Sequence, residues 1–287
     1  MEPELVADFD CVTGENPLWH PGEQRLYWID IGTCRLFRYD PADGHAEQVY
    51  QAPEAIGGFT VQADGALLLF MAHGAIHTWR EGAVTVIRDE LPEARDSRFN
   101  DVQADPEGRV FAGVMPSQDH PGMLYRLDRD GTLTKLLDGL GIPNGMGFTP
   151  DLRQLYFTDS TSRTIYLFDY DRASGALRHQ RVFVQLPRDS PEQPDGLTTD
   201  TAGGVWSARW DGSALYRFAP DGTVAARVGF PARKVSCPAF GGRDYTDLYV
   251  TTAGGNHKAT EGQGAGALFR LRPGLRGMAD FPSRVGI

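Results

Sequence analysis

Residues 141–159 read GIPNGMGFTPDLRQLYFTD: a glycine-rich apolar lead, a polar turn at Thr149-Pro150-Asp151, then a β-rich run ending at Asp159. Asn144-Gly145 alone is a hairpin signal, because both residue types tolerate positive φ. Pro143 stands before it, however, and the residues after it behave as a buried strand entering its own turn. One short stretch cannot hold two turns and a strand, so Asn144 is expected to serve something other than a turn.

The same unit recurs. PLWHPGEQRLYWID (17–30), GGFTVQADGALLLF (57–70), NDVQADPEGRVFAG (100–113), DGLTTDTAGGVWSAR (195–209) and PAFGGRDYTDLYVTT (238–252) each carry an apolar anchor, a Gly- or Asp-bearing turn and a β-rich strand. Counting Phe148 of the opening stretch, the anchors are Trp19, Phe59, Val102, Phe148, Leu197 and Phe240, spaced 40 to 49 residues apart. Nine residues after each anchor stands Trp28, Leu68, Phe111, Phe157, Trp206 or Tyr249, all large and apolar. A second alternating pattern follows each unit around a DG, SG or EG turn, as in MLYRLDRDGTLTKLLDG (123–139), the mark of an antiparallel hairpin. Two hairpins repeated six times predict an all-β fold, a six-bladed β-propeller of four antiparallel strands per blade, over a single domain of residues 1–287. The last repeat lacks a clear fourth strand, while ELVADFD (4–10) is an orphan strand ahead of the first anchor. Placing the orphan on the last blade closes the ring and removes an open sheet edge.

Composition agrees. The chain has 287 residues with 34 Gly, 19 Pro and 41% apolar residues, and no stretch repeats its apolar positions at helical spacing for three turns. No run approaches the length of a membrane span. The opening MEPELVADFD is acidic where a secretory signal is basic and then apolar, so a soluble cytoplasmic protein is expected. Net charge is −10 without a basic patch, which argues against nucleic acid or an anionic membrane as partner. Cys11, Cys34 and Cys237 have no metal-type spacing, and three cannot all pair; they are read as reduced and structural.

Inner strands of a propeller crowd around a central channel, so polar residues near their starts converge although far apart in sequence. Four residues before the anchors stand Glu15, Ala55, Arg98, Asn144, Gln193 and Ser236; two before stand Pro17, Gly57, Asn100, Met146, Asp195 and Pro238. Both offsets are even, so an extended strand puts them on one face. Glu15, Asn144 and Asp195 thereby present oxygen to a shared point, and two carboxylates crowded there call for a cation. Oxygen ligation suits Ca²⁺, Mg²⁺ or Mn²⁺, while Zn²⁺ and Fe²⁺ also accept carboxylates. Three protein ligands leave positions for water or substrate, the pattern of a catalytic site.

These motifs resemble the gluconolactonase, senescence marker protein (regucalcin) and luciferin-regenerating enzyme family. GENPLWHPGEQRLYWIDI (14–31), RFNDVQADPEGRVFAG (98–113), IPNGMGFTPDLRQLYFTDS (142–160), QPDGLTTDTAGGVWSARW (193–210) and CPAFGGRDYTDLYVTTA (237–253) spread the likeness over nearly the whole chain. The resemblance implies a divalent metal on Glu15, Asn144 and Asp195. It also implies substrate contacts from Arg98 and Asn100, Asn100 lying beside the metal, and Asp195 as general base. Two departures stand out: Asn16 replaces the glycine usual after the motif's glutamate, and QDHPG (118–122) is a short substrate loop.

The expected function is metal-dependent hydrolysis of a sugar aldonolactone, of glucono- or xylonolactone type, to the aldonic acid. The rivals are a related metal hydrolase of other lactones or phosphotriesters, and a non-catalytic metal-binding propeller. A GxSxG elbow and an HExxH pair are both missing, and His73 and His77, four apart in a strand and turn context, are not brought together as on a helix. The loops RDSRFND (95–101) and TTAGGNHKATEGQG (251–264) are expected to shape the pocket, and Trp210-Asp211 reads as a turn. Sequence leaves the oligomeric state open.

Overall fold

Each copy of the repeat folds as two antiparallel hairpins because its apolar residues alternate with polar ones on both sides of a glycine turn. The structure is a computed structural model that describes residues 1–286. Six four-stranded sheets form the ring. Their inner strands are Gly14–His20, Ile56–Val61, Phe99–Ala104, Pro143–Phe148, Gln193–Thr199 and Lys234–Gly241, one for each of blades one to six. The orphan strand, Glu4–Asp8, pairs antiparallel with Ala267–Leu271 and completes blade six, as expected.

The residues nine after each anchor are all buried, and every large apolar cluster lies between neighbouring blades. Leu18, Tyr27 and Ile29 of blade one pack with Phe59, Leu67 and Leu69 of blade two; Phe111 and Leu124 of blade three pack with Met146, Phe148 and Phe157 of blade four. Closing the ring therefore completes a set of interblade cores, and a missing blade would expose two of them to water.

In all six inner strands the pairing register shifts near the start, for example between Glu15 and Leu18, Phe99 and Val102, Pro143 and Met146, and Pro194 and Leu197. Such bulges bend a strand and re-aim its side chains. Asn144-Gly145 lies inside one of them and forms no turn. Glycine follows Asn144 because a Cβ at Gly145 would stand 2.2 Å from the Leu197 amide nitrogen of the next blade.

Beyond Leu271 the chain runs back across the end of the channel where the inner strands finish. Met278 N donates to Thr199 O at 2.9 Å, Ser283 N to Val61 O at 2.9 Å and Arg284 N to Gly108 O at 2.8 Å. No helix of the described residues is long and apolar enough to cross a membrane.

Candidate active site

In blades one and four the second strand ends in an aspartate that grips the lead into its own inner strand. In blade four the Asp159 carboxylate accepts from the amides of Gly141 and Ile142, both at 3.2 Å. In blade one Asp30 accepts from Val12 N at 3.1 Å and Thr13 N at 2.9 Å. Charge-assisted bonds to the backbone fix where each inner strand begins, and so where Asn144 and Glu15 sit.

A cavity of about 230 Å³ opens over these starts, lined by Thr13, Glu15, Ile31, Arg98, Asn100, Met115, Ile142, Asn144, Ser160, Gln193, Asp195 and Trp210. All five polar residues singled out by phase in the sequence, Glu15, Arg98, Asn100, Asn144 and Asp195, therefore meet in one place. Glu15 and Asp195 are each only 5% exposed. The Glu15 carboxylate accepts one hydrogen bond, from Asn16 N at 3.1 Å.

The orientation of Asn144 follows from its neighbours. Ser160 Oγ donates its single proton to Pro194 O at 2.6 Å, so it can only accept from Asn144 Nδ2, 2.9 Å away. The amide nitrogen is thereby committed, and Oδ1 is turned to the other side, where Asn100 Nδ2 donates to it at 3.2 Å. Asn100 Nδ2 also donates to Pro143 O at 2.9 Å, and its Oδ1 accepts from Arg98 Nη1 at 2.6 Å. Asn100 thus links Arg98 to Asn144. Arg98 Nη1 also donates to Phe99 O, while its Nη2 and Nε keep their donors for a ligand.

Electrostatics mark the site as costly. Burial, then the Asp195 and Asp101 carboxylates, push the Glu15 carboxyl up from its ordinary range. Burial and Asp101 push Asp195 up as well, against the pull of Asn144 and Arg98. Asp101 itself, 8% exposed and without a hydrogen bond, is pushed up by burial to about 7. Burial lowers Arg98, opposed by all three carboxylates. Three buried acids face one guanidinium, an imbalance of two negative charges that a divalent cation would neutralise. Among the described residues no three His, Cys, Asp or Glu side chains are gathered as a metal cluster; the donors that fit a hard ion are two carboxylates, Glu15 and Asp195, together with the oriented amide oxygen of Asn144.

Four contributors escaped the sequence reading. Strict alternation turns Asp101 away from the channel, yet the bulge between Phe99 and Val102 leaves Asn100 in the upper cavity and Asp101 in the channel beneath it. Ser160 follows the gripping aspartate, a position whose value shows only once Asn144 is placed. Trp210, a turn residue by sequence, ends the strand Val205–Trp210 and pairs with Gln193, and both line the cavity wall. Of the two loops expected to shape the pocket, 95–101 supplies Arg98 and Asn100, whereas 251–264 supplies no lining residue.

Known proteins share the sequence and the fold. The family model described as the SMP-30/Gluconolactonase/LRE-like region matches residues 13–254. Pentonolactonase XacC of Haloferax volcanii is 47% identical over 99% of both chains. A 6-deoxy-6-sulfogluconolactonase of Pseudomonas putida is 34% identical over 96% of this chain and 97% of its own. Among solved structures, the calcium-binding protein regucalcin of Agrobacterium tumefaciens superposes with a TM-score of 0.88 at 25% identity, over 99% of this chain and 97% of that one. Blades, channel residues and relatives together place this chain in the SMP-30/gluconolactonase/LRE-like family.

Proposed function

We propose that the protein is a sugar lactonase that hydrolyses a neutral aldonolactone to the aldonic acid and depends on a divalent cation. The observation that carries this reading is the pair of buried, under-partnered carboxylates beside an oriented amide oxygen at one cavity. Its relatives are named as lactonases of pentonic and sulfogluconic sugars.

Glu15, Asn144 and Asp195 would hold a divalent ion, which would supply Lewis acidity toward a lactone carbonyl. The chain does the rest. Asp195 takes the proton of the water that adds to the carbonyl carbon. The ring C–O bond then breaks, and the leaving alkoxide takes up the proton that Asp195 accepted. Asn100 lies beside the reacting centre and, through Asn144, keeps the amide oxygen directed. Arg98 Nη2 and Nε remain to bind sugar hydroxyls or the new carboxylate through a planar fork. Arg98 is the cavity's one cationic lining residue, which favours an uncharged lactone over a phosphorylated or sulfonated one.

A second reading, hydrolysis of apolar lactones or phosphotriesters, draws on the apolar part of the wall formed by Ile31, Met115, Ile142 and Trp210. One assay separates the two. Acid release is followed with pentono- and hexonolactones, an aliphatic lactone and a phosphotriester, each with and without chelator. Turnover of sugar lactones that chelator abolishes and added divalent ion restores is the expected result; preference for the aliphatic lactone or the phosphotriester would favour the second reading.

A further inference from the structure

Residues 254–262 lie outside the cavity wall, yet they are anchored with care. Arg233 N donates to Glu261 O at 2.7 Å, and Gly262 closes the turn at φ +99° where a Cβ would stand 2.0 Å from Pro231 O. The Glu261 carboxylate accepts from Lys234 Nζ at 2.7 Å, and Asp211 accepts from the same ammonium at 2.9 Å. Lys234 is 19% exposed and stands 5.5 Å from the centroid of the Trp210 ring. Trp210 in turn lines the cavity beside Gln193. A short chain of contacts thus runs from the loop to the cavity, Glu261 to Lys234 to Trp210.

We infer that Trp210 is the specificity-determining wall for the sugar ring, and that Lys234, pinned between Glu261 and Asp211, is the positioning residue that fixes the indole. This rests on the lactonase reading. A sugar lactone carries C–H patches between its hydroxyls, and a large rigid aromatic surface buries them at little entropic cost. An ammonium over the ring holds the indole through its quadrupole. The two acids hold the ammonium in place, so the loop tunes the pocket without touching substrate.

The test is steady-state kinetics on D-xylono-1,4-lactone and D-glucono-1,5-lactone with the metal-loaded full chain. Trp210→Leu is expected to raise KM about tenfold with kcat changed less than about twofold, and Trp210→Phe to recover most of the loss. Lys234→Met and Glu261→Gln, both outside the cavity, are expected to raise KM about threefold. Glu261→Gln should add nothing further in the Trp210→Leu background, because its effect passes through the ring. Wild-type turnover with KM unmoved by Trp210→Leu overturns the wall. An effect of Glu261→Gln that persists in full beside Trp210→Leu overturns the relay. If Trp210→Leu does not fold, unchanged KM in both Lys234→Met and Glu261→Gln overturns the positioning role. A wild-type protein that turns over no sugar lactone overturns the lactonase reading and this inference with it.

Discussion

The two ends of the central channel are built from the same six inner strands and are treated in opposite ways. Where the strands finish, the C-terminal tail bonds to much of what it covers: Thr60 Oγ1 donates to Ser283 Oγ at 2.7 Å, Val285 N donates to Gln62 Oε1 at 2.9 Å, and Phe281 packs toward Phe148, while Asp280, raised by burial to about 6, accepts one bond, from Gln103 Nε2 at 3.4 Å. Where the strands begin, Glu15 accepts one bond, Asp101 accepts none, and three carboxylates share one guanidinium. A closed ring tolerates that imbalance because the interblade cores carry the fold. The tail-covered end adds to the interblade cores, and the unsatisfied acids gather at the open end.

Substitutions at the two ends should therefore separate activity from stability. The largest effect is expected from Asp195→Asn, which removes the proton acceptor and lowers kcat by about a thousandfold. Its metal-free Tm should not fall, since one member of a repelling group becomes neutral. A fall in metal-free Tm would show that the carboxylate stabilises the fold, contrary to the contrast drawn above. Asn100→Ala should follow at about a hundredfold in kcat, through loss of orientation at Asn144.

The acids also set a pH dependence. A carboxyl raised in the folded chain holds its proton more tightly there, so its contribution to stability is complete below the unfolded pKa and is lost as pH rises through the folded value. Glu15 and Asp195 are both raised, and Asp101 reaches about 7. The Tm of metal-free protein is expected to fall as pH rises from about 4 to about 7, and a saturating divalent ion should flatten the curve. A metal-free curve that rises across this range would contradict the repulsion. At the sealed end, Phe281→Ala should cost about 2 kcal/mol in denaturant unfolding, less than a fully buried phenylalanine, and leave kcat unchanged. A matching loss of kcat would couple the two ends and blur the distinction.

The ring was legible because its signal is redundant: six anchors with large apolar residues nine positions on point to one architecture. The oxygen-bearing set was legible because Glu15 and Asn144 stand four residues, and Asp195 two, before the anchors of different repeats, even offsets that share one face of an extended strand. Asp101 was not, since period-two reasoning cannot foresee a bulge, and the bulge turns Asn100 and Asp101 into adjoining spaces. Ser160 and Trp210 escaped for a different reason. Each acts through a partner brought near only by folding, Ser160 through Pro194 O and Trp210 through the Lys234 ammonium.

The claim beneath all of this is that the crowded carboxylates are held together by a doubly charged ion on which turnover depends. Calorimetric titration of chelator-treated protein with Ca²⁺ and with Mn²⁺, paired with lactone assays at each point, tests it directly. The expected result is saturable binding of one ion per chain, turnover rising in step with occupancy, and loss of both in Glu15→Gln. Full lactone turnover by protein stripped of every divalent ion would contradict it.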